Sequence, residues 1–354
     1  MTTGESTPVW DGWDNAAPTL RARNASRLVA QAEAAATAPP FRYIPDVDLT
    51  AMTNDDLEAR RRIGEQLRRA CLEVGFFYVT GHGVDAAVVD AAFEATQRFF
   101  ALPGDAKAAV SILHSDKMRG YTGLLEENTD PDNAGDLHEA FDIGLELEPH
   151  DPDADGDTYG WGRNQWPDLD GFRDDVLAYY DEMRALCDRL YRAFALSLDL
   201  DEDHFTSKMT KPIGELRLLR YPGQPERRDD VLGIGAHSDY DVFTVLATDE
   251  HEALEVLNPA GDWIPVPPRP DTFIVNVGDL LERWTNDLYR STVHRAVNIG
   301  ARDRHSIPFF SNIDPLETVA VLDSCQSEAR PARYPPVGAG AYVEACMQEA
   351  YGVG

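Results

Sequence analysis

From Lys211 onward the chain breaks into short β-forming runs, Leu216 to Tyr221, Phe243 to Ala247, Leu254 to Leu257, Phe273 to Val277 and Ile307 to Phe310, separated by Gly, Pro, Asn or Asp. Runs of β-branched and aromatic residues this closely spaced predict an antiparallel sandwich or barrel. The chain shows no repeat of fixed period and no low-complexity linker long enough to separate independent domains. Whatever precedes residue 211 therefore has to pack on that β core.

Residues 1–40 carry Gly, Ser, Thr, Pro and the run Ala34 to Ala38, and read as a loose arm with room for one short helix. Residues 41–210 read as a helical and loop region packed on the core. Within it, Phe41 to Leu49 is a short strand ending in a turn, and Thr53 to Val74 has apolar residues at helical spacing. Gly75 to Thr80 is β-rich, and Asp85 caps a second helix running to about Phe100. The stretch from Ser111 to Asp168 reads as long loops with brief strands. Asp170 to Leu198 is helical again, with Phe172, Val176, Tyr179, Met183, Leu186, Leu190 and Phe194 recurring every three or four residues.

Of the 354 residues, 43% are hydrophobic, enough for one large core. The formal charge of −30, from 62 Asp and Glu against 32 Lys and Arg, repels phosphate backbones and anionic lipid heads, so neither nucleic acid nor a membrane surface is expected as a partner. No run of about 18 uncharged apolar residues and no basic-then-apolar leader is present, which predicts a cytoplasmic protein. Cys71, Cys187, Cys325 and Cys346 lie far apart with no Cys-x-x-Cys pair, and are expected to be buried, reduced thiols. A monomer suffices at this size, with a weak homo-oligomer left open.

The chemistry concentrates in the β-rich half. His237 and Asp239 are two apart, the spacing that puts both on one face of a strand, and His294 follows 55 residues later. Two imidazoles and a carboxylate suit Fe(II), filling one face of an octahedron and leaving three positions open. Arg304 and Ser306, ten and twelve residues past His294, are again two apart. A guanidinium beside a hydroxyl makes a clamp for the far carboxylate of a dicarboxylate whose other end chelates iron. His82, His114, His138, His150, His204 and His251 have no second ligand at metal spacing, and strand alternation turns His305 away from the site.

Several blocks in the same order resemble the isopenicillin N synthase-like branch of the Fe(II)/2-oxoglutarate-dependent dioxygenases. They are Gly75-Phe76-Phe77-Tyr78-Val79 with Gly81-His82-Gly83-Val84, then Leu216-Arg217-Leu218-Leu219-Arg220-Tyr221-Pro222, then Trp263-Ile264-Pro265-Val266, Val275-Asn276-Val277-Gly278-Asp279, Trp284-Thr285-Asn286 and Tyr289-Arg290-Ser291-Thr292-Val293-His294-Arg295. The chain departs from the usual pattern at Thr80 before Gly81-His82 and at Ala253-Leu254-Glu255, neither of which touches the ligand candidates.

The resemblance implies an α+β fold with a mainly β core, a distorted double-stranded β-helix (a cupin-like jelly roll) flanked by N-terminal and central helices. It also implies Fe(II) held by His237, Asp239 and His294, and 2-oxoglutarate and O₂ as co-substrates. Arg304 and Ser306 map onto the family's Arg-x-Ser motif, and Tyr221 onto a contact to the co-substrate carboxylate. The implied activity is oxidation of an unactivated C–H bond of a small-molecule substrate, by hydroxylation, desaturation or cyclisation, in secondary metabolism. Asp239 argues against the halogenating variants, which vacate that position. Two segments, Met118 to Gly123 and Asp136 to Phe141, resemble loops that reach over the mouth. They make Arg119 a candidate for a substrate carboxylate and Tyr121 and Phe141 candidates for an apolar wall, with Phe310 and Asn312 further candidates beyond the clamp. Two alternatives stay open, an oxidase of the same fold that needs no 2-oxoglutarate and a non-catalytic sensor of a small acid.

Overall fold

The computed structural model describes residues 40–129, 135–148, 150–224, 226, 232–298 and 300–350, excluding the side chains of 349 and 350. The predicted N-terminal arm lies almost entirely outside the described residues.

In chain order the first half contributes β1 (Asp46–Asp48), α1 (Leu57–Glu73), β2 (Phe76–Thr80), α2 (Ala86–Phe100), the short α3 (Gly104–Ala108), β3 (Gly120–Thr122), β4 (Glu139–Ile143) and α4 (Phe172–Ser197). The second half contributes β5 (Gly214–Tyr221), β6 (Ile234–His237), β7 (Phe243–Thr248), β8 (Leu254–Leu257), β9 (Trp263–Pro265) and β10 (Phe273–Val277). It continues with α5 (Asp279–Trp284), β11 (His294–Ala296), β12 (Arg304–Ser311), β13 (Thr318–Val319), β14 (Val337–Gly338) and α6 (Ala339–Ala350).

Local chemistry sets the helix boundaries. The Asp56 carboxylate accepts from the Glu58 and Ala59 amides and starts α1, and Asp85 accepts from the Ala87 amide and starts α2, as its position predicts. Asp174 and Asp175 sit in the first turn of α4, where the helix dipole favours negative charge. Gly75 ends the turn into β2 with φ +77°, and a Cβ there would meet the Arg290 carbonyl at 2.1 Å, so only glycine fits.

The strands form a jelly roll. An eight-stranded sheet runs β1-β2-β10-β7-β12-β5-β4-β3, and a four-stranded sheet runs β6-β11-β8-β9. All pairings but β1 with β2 are antiparallel in these sheets. The described residues between 111 and 168 carry two brief strands between loops, as expected. β3 and β4 extend the large sheet beyond β5, their pairing partners being far away in sequence and so invisible to a local period.

Alternation then divides the large sheet's residues between two environments. Phe77, Val245, Val275, Leu216, Leu218, Phe309 and Phe141 face α1, α2 and α4 and form the main core with Phe99, Phe172, Tyr179 and Phe194. Phe76, Tyr78 and Ile274 face the small sheet and pack on Leu254 and Val256. Towards β12, β5 and β4 that inner face turns polar, and the cavity opens there.

Candidate active site

Two strands and one turn assemble the centre. His237 ends β6 and His294 begins β11, and the two are direct cross-strand partners, with ring centroids 4.3 Å apart. β6 stops at His237, so strand alternation is not what aims Asp239. The turn beyond β6 does so, because the Asp239 carbonyl accepts from the Asp279 amide at 2.9 Å, while the Gly278 amide donates to the Val242 carbonyl at 3.0 Å. Gly278 is required for that approach, since a Cβ would meet the Asp241 carbonyl oxygen at 2.2 Å.

One Asp239 oxygen, Oδ2, is tied back by the Thr244 hydroxyl and by Asn276 Nδ2 at 2.7 Å. The other, Oδ1, lies 3.5 Å from Nε2 of both His237 and His294. His237 Nδ1 stands 2.8 Å from the Gly235 carbonyl and His294 Nδ1 3.2 Å from the Thr292 carbonyl. A carbonyl can only accept, so each Nδ1 carries a proton and each Nε2 is the nitrogen turned towards Asp239. All three ligand atoms fall within 4.8 Å of one another.

The electrostatics follow from that crowding. Burial raises the Asp239 carboxyl, but His294 and His237 beside it hold it well below the usual carboxylate range. Burial, reinforced by the neighbouring His237, brings His294 down to about 4. For His237 burial acts downward too, and the Asp239 carboxylate, the Gly235 carbonyl and Asp136 together more than reverse it. The arrangement gathers two imidazole nitrogens and one carboxylate oxygen at a single point.

Arg304 and Ser306 line the same cavity from the inner face of β12, with Tyr221 opposite Arg304 on β5. Arg304 is 2% exposed, its guanidinium carbon stands 4.7 Å from the Tyr221 ring centre, and its Nε and Nη1 have no hydrogen-bond partner. The Ser306 hydroxyl is 3.5 Å from that of Tyr221. Phe310 and Asn312 continue along the strand direction and also line the cavity, as do Val343 and Met347 of α6. His305 faces away, its amide donating to Asp249.

Arg119, Tyr121 and Phe141 are found elsewhere, which corrects their expected place over the mouth. Register pairs Tyr121 with Phe141, and both side chains join the helix-side aromatic cluster, Phe141 lying 4.6 Å from Phe99 and 5.4 Å from Phe172 between ring centres. Arg119 is buried behind the cavity wall, 3.3 Å from Glu215.

Local reading of the sequence missed Glu215, Arg217, Glu127 and His138, all of which line the cavity. The signal for two of them was available, because Glu215, Arg217, Leu219 and Tyr221 alternate along β5. His138 is buried rather than loop-exposed, hydrogen-bonded to the Gly233 carbonyl at 2.9 Å and to Glu127 at 3.1 Å.

Residues 44–169 match the family described as non-haem dioxygenase in morphine synthesis N-terminal, and residues 213–313 match the 2OG-Fe(II) oxygenase superfamily. The 2-oxoglutarate-Fe(II) type oxidoreductase hxnY of Emericella nidulans is 34% identical, the alignment covering 90% of this chain and 92% of that protein. Clavatol oxidase claD of Penicillium crustosum is 35% identical over 78% of this chain and 88% of its own length. Among solved structures, a 2OG-Fe(II) oxygenase family protein of Caulobacter crescentus superposes with a TM-score of 0.77 at 29% identity, covering 87% of this chain and 99% of that one. Neurospora crassa T7H in complex with alpha-KG and thymine superposes with a TM-score of 0.74 at 27% identity, covering 87% and 96% respectively.

Proposed function

The chain belongs to the 2OG-Fe(II) oxygenase superfamily and is a 2-oxoglutarate- and Fe(II)-dependent dioxygenase, and on that premise we propose that His237, Asp239 and His294 hold its iron while Arg304, Ser306 and Tyr221 receive 2-oxoglutarate. The observation that carries the reading is the buried Arg304 guanidinium, two of whose nitrogens lack a partner on a wall of the cavity that also contains the three ligands. A buried, unpaired guanidinium costs several kcal/mol unless an anion meets it. The far carboxylate of 2-oxoglutarate supplies that anion, with the Ser306 hydroxyl as a further donor. The donor set fits the metal equally well, being two imidazole nitrogens and one carboxylate oxygen on a single side.

When bound, Fe(II) with 2-oxoglutarate and O₂ supplies the oxidising power to break a C–H bond. The chain's own residues do the positioning. The Gly235 and Thr292 carbonyls fix both imidazole tautomers, and Thr244 and Asn276 fix the Asp239 rotamer, so no ligand reorganises on binding. Phe310, Pro308, Val343 and Met347 provide an apolar wall that excludes water and presses the target bond towards the metal.

The substrate is a small organic molecule oxidised by hydroxylation, or by desaturation or cyclisation from the same hydrogen abstraction, in secondary metabolism. Kinship to clavatol oxidase and to a T7H with bound thymine supports a small-molecule substrate. No helix among the described residues is long and apolar enough to cross a membrane. The four buried free thiols suit a reducing compartment, the cytoplasm. Residues 211–354 form the catalytic unit in this reading, with 41–210 packed upon it and a monomer as the working form.

Anaerobic equilibrium dialysis tests the assignment. Native protein and Arg304→Ala should each retain one iron, whereas His237→Ala, Asp239→Ala and His294→Ala should not. Full iron retention by Asp239→Ala would overturn the ligand set.

A further inference from the structure

The cavity has a second polar region beyond the iron ligands and the Arg304 clamp. Cross-strand register puts Asn276, Thr244, Phe310 and Glu215 in one row across β10, β7, β12 and β5. Thr244 and Asn276 are the residues that hold Asp239, so Glu215 lies in the metal's row. Arg304 and Tyr221 lie six residues further along their strands. Asn312 neighbours Glu215 diagonally, its amide donating to the Ile213 carbonyl.

The cations of this cavity are nearly all committed. Arg217 is forked between two carboxylates, with Nε 2.8 Å from Asp142 and Nη1 3.0 Å from Glu127. Arg295 pairs with Glu255 at 2.6 Å and stacks on Trp263. Among the described lining residues, Arg304 is then the one guanidinium without a carboxylate partner, and the reading above gives it to 2-oxoglutarate. An anionic substrate group would find no cation waiting.

Acceptors, by contrast, are left over. The Glu215 carboxylate, 7% exposed, is ion-paired with the buried Arg119 behind the wall through one long contact, 3.3 Å from Nη1, which leaves it acceptor capacity towards the cavity it lines. Asn312, 2% exposed, has a buried Oδ1 with no partner at all. A buried acceptor such as Asn312 Oδ1 costs free energy until a donor arrives, and Asn312 and Glu215 line the cavity side by side.

We infer that the primary substrate carries a basic nitrogen group, a protonated amine or amidine with several N–H donors, which Glu215 and Asn312 receive beside the metal. The inference rests on the cofactor assignment above and adds the substrate's chemical class. Glu215 supplies the charge and Asn312 a second acceptor, so one nitrogen group with diverging N–H bonds satisfies both. A carboxylate at that end of a substrate is repelled.

Benzamidine and benzoate share a ring and carry opposite charges, which makes them the probes. Each is titrated anaerobically into protein loaded with Fe(II) and 2-oxoglutarate, with binding followed by saturation-transfer NMR and the visible band of the iron chelate recorded in the same sample. Benzamidine should bind at least about tenfold tighter than benzoate. Glu215→Gln should remove that preference, and Asn312→Ala should weaken benzamidine severalfold, while the chelate band stays unchanged in both. Benzoate binding as tightly as benzamidine, no saturable benzamidine binding, or a preference that survives Glu215→Gln would each overturn the inference. Absence of the chelate band in native protein would instead overturn the cofactor assignment itself and the inference with it.

Discussion

Arg304 and Thr244 do different jobs, and their variants should separate them. A lysine at 304 keeps the charge but loses the planar fork, so Arg304→Lys should weaken 2-oxoglutarate binding about 10- to 100-fold by calorimetry while iron content stays stoichiometric. Thr244→Val removes one of the two bonds that set the Asp239 rotamer, and iron affinity should fall about tenfold or more in competition with a chelator. Asp142 offers a pH test. Burial, with the like charges of Glu215 and Glu127 against the attraction of Arg217, pushes its carboxyl up to about 7. The folded protein therefore keeps a proton there that the unfolded chain has lost, so this group's contribution to stability falls as pH rises from the ordinary carboxylate range through about 7. Asp142→Asn should flatten that decline in unfolding midpoint against pH, and parallel curves for the two proteins would contradict it. At this scale the three proposed ligands and the Arg304–Ser306 pair were legible as candidates because His237 and Asp239, like Arg304 and Ser306, stand two apart, and all five line one cavity. Glu127 and His138 were not, since their roles come from packing against β5 rather than from any motif.

Elements whose signal is local were read well. Asp85 starts α2 where its capping chemistry predicts, and the three- and four-residue recurrence within residues 170–198 is α4. The run Phe273 to Val277 is β10 without adjustment. The brief strands expected within residues 111–168 were not placed, and β6, β9 and β11 escaped; all of them exist through pairing with distant partners and carry too few residues to show a period. The helix α6 also escaped, although Val343 and Met347 close one side of the cavity. The packing of α4 on the sheet makes a quantitative prediction. Phe194 is fully buried against Phe243, 5.1 Å away between ring centres, and against Phe77 and Tyr289. Phe194→Ala should cost about 3–5 kcal/mol in urea denaturation. A loss under about 1 kcal/mol would mean that α4 contributes little to the core.

Across the whole molecule, the large sheet unites both halves of the chain, since β1 to β4 from the first half flank β10, β7, β12 and β5 from the second. The formal charge of −30 acts on that body as a self-repulsion, so the unfolding temperature should rise by a few degrees between low salt and about 0.3 M NaCl as the repulsion is screened. A flat or falling midpoint would show that local ion pairs outweigh the global field. The central claim, one cavity that holds iron at one row and the 2-oxoglutarate carboxylate at another, is tested most directly by adding Fe(II) and 2-oxoglutarate anaerobically to metal-free protein and recording the visible spectrum. The account predicts the weak absorption band of the iron chelate in native protein, its loss in Asp239→Ala, and a much higher 2-oxoglutarate requirement in Arg304→Ala. Iron binding without any band, or a band indifferent to both substitutions, would contradict it.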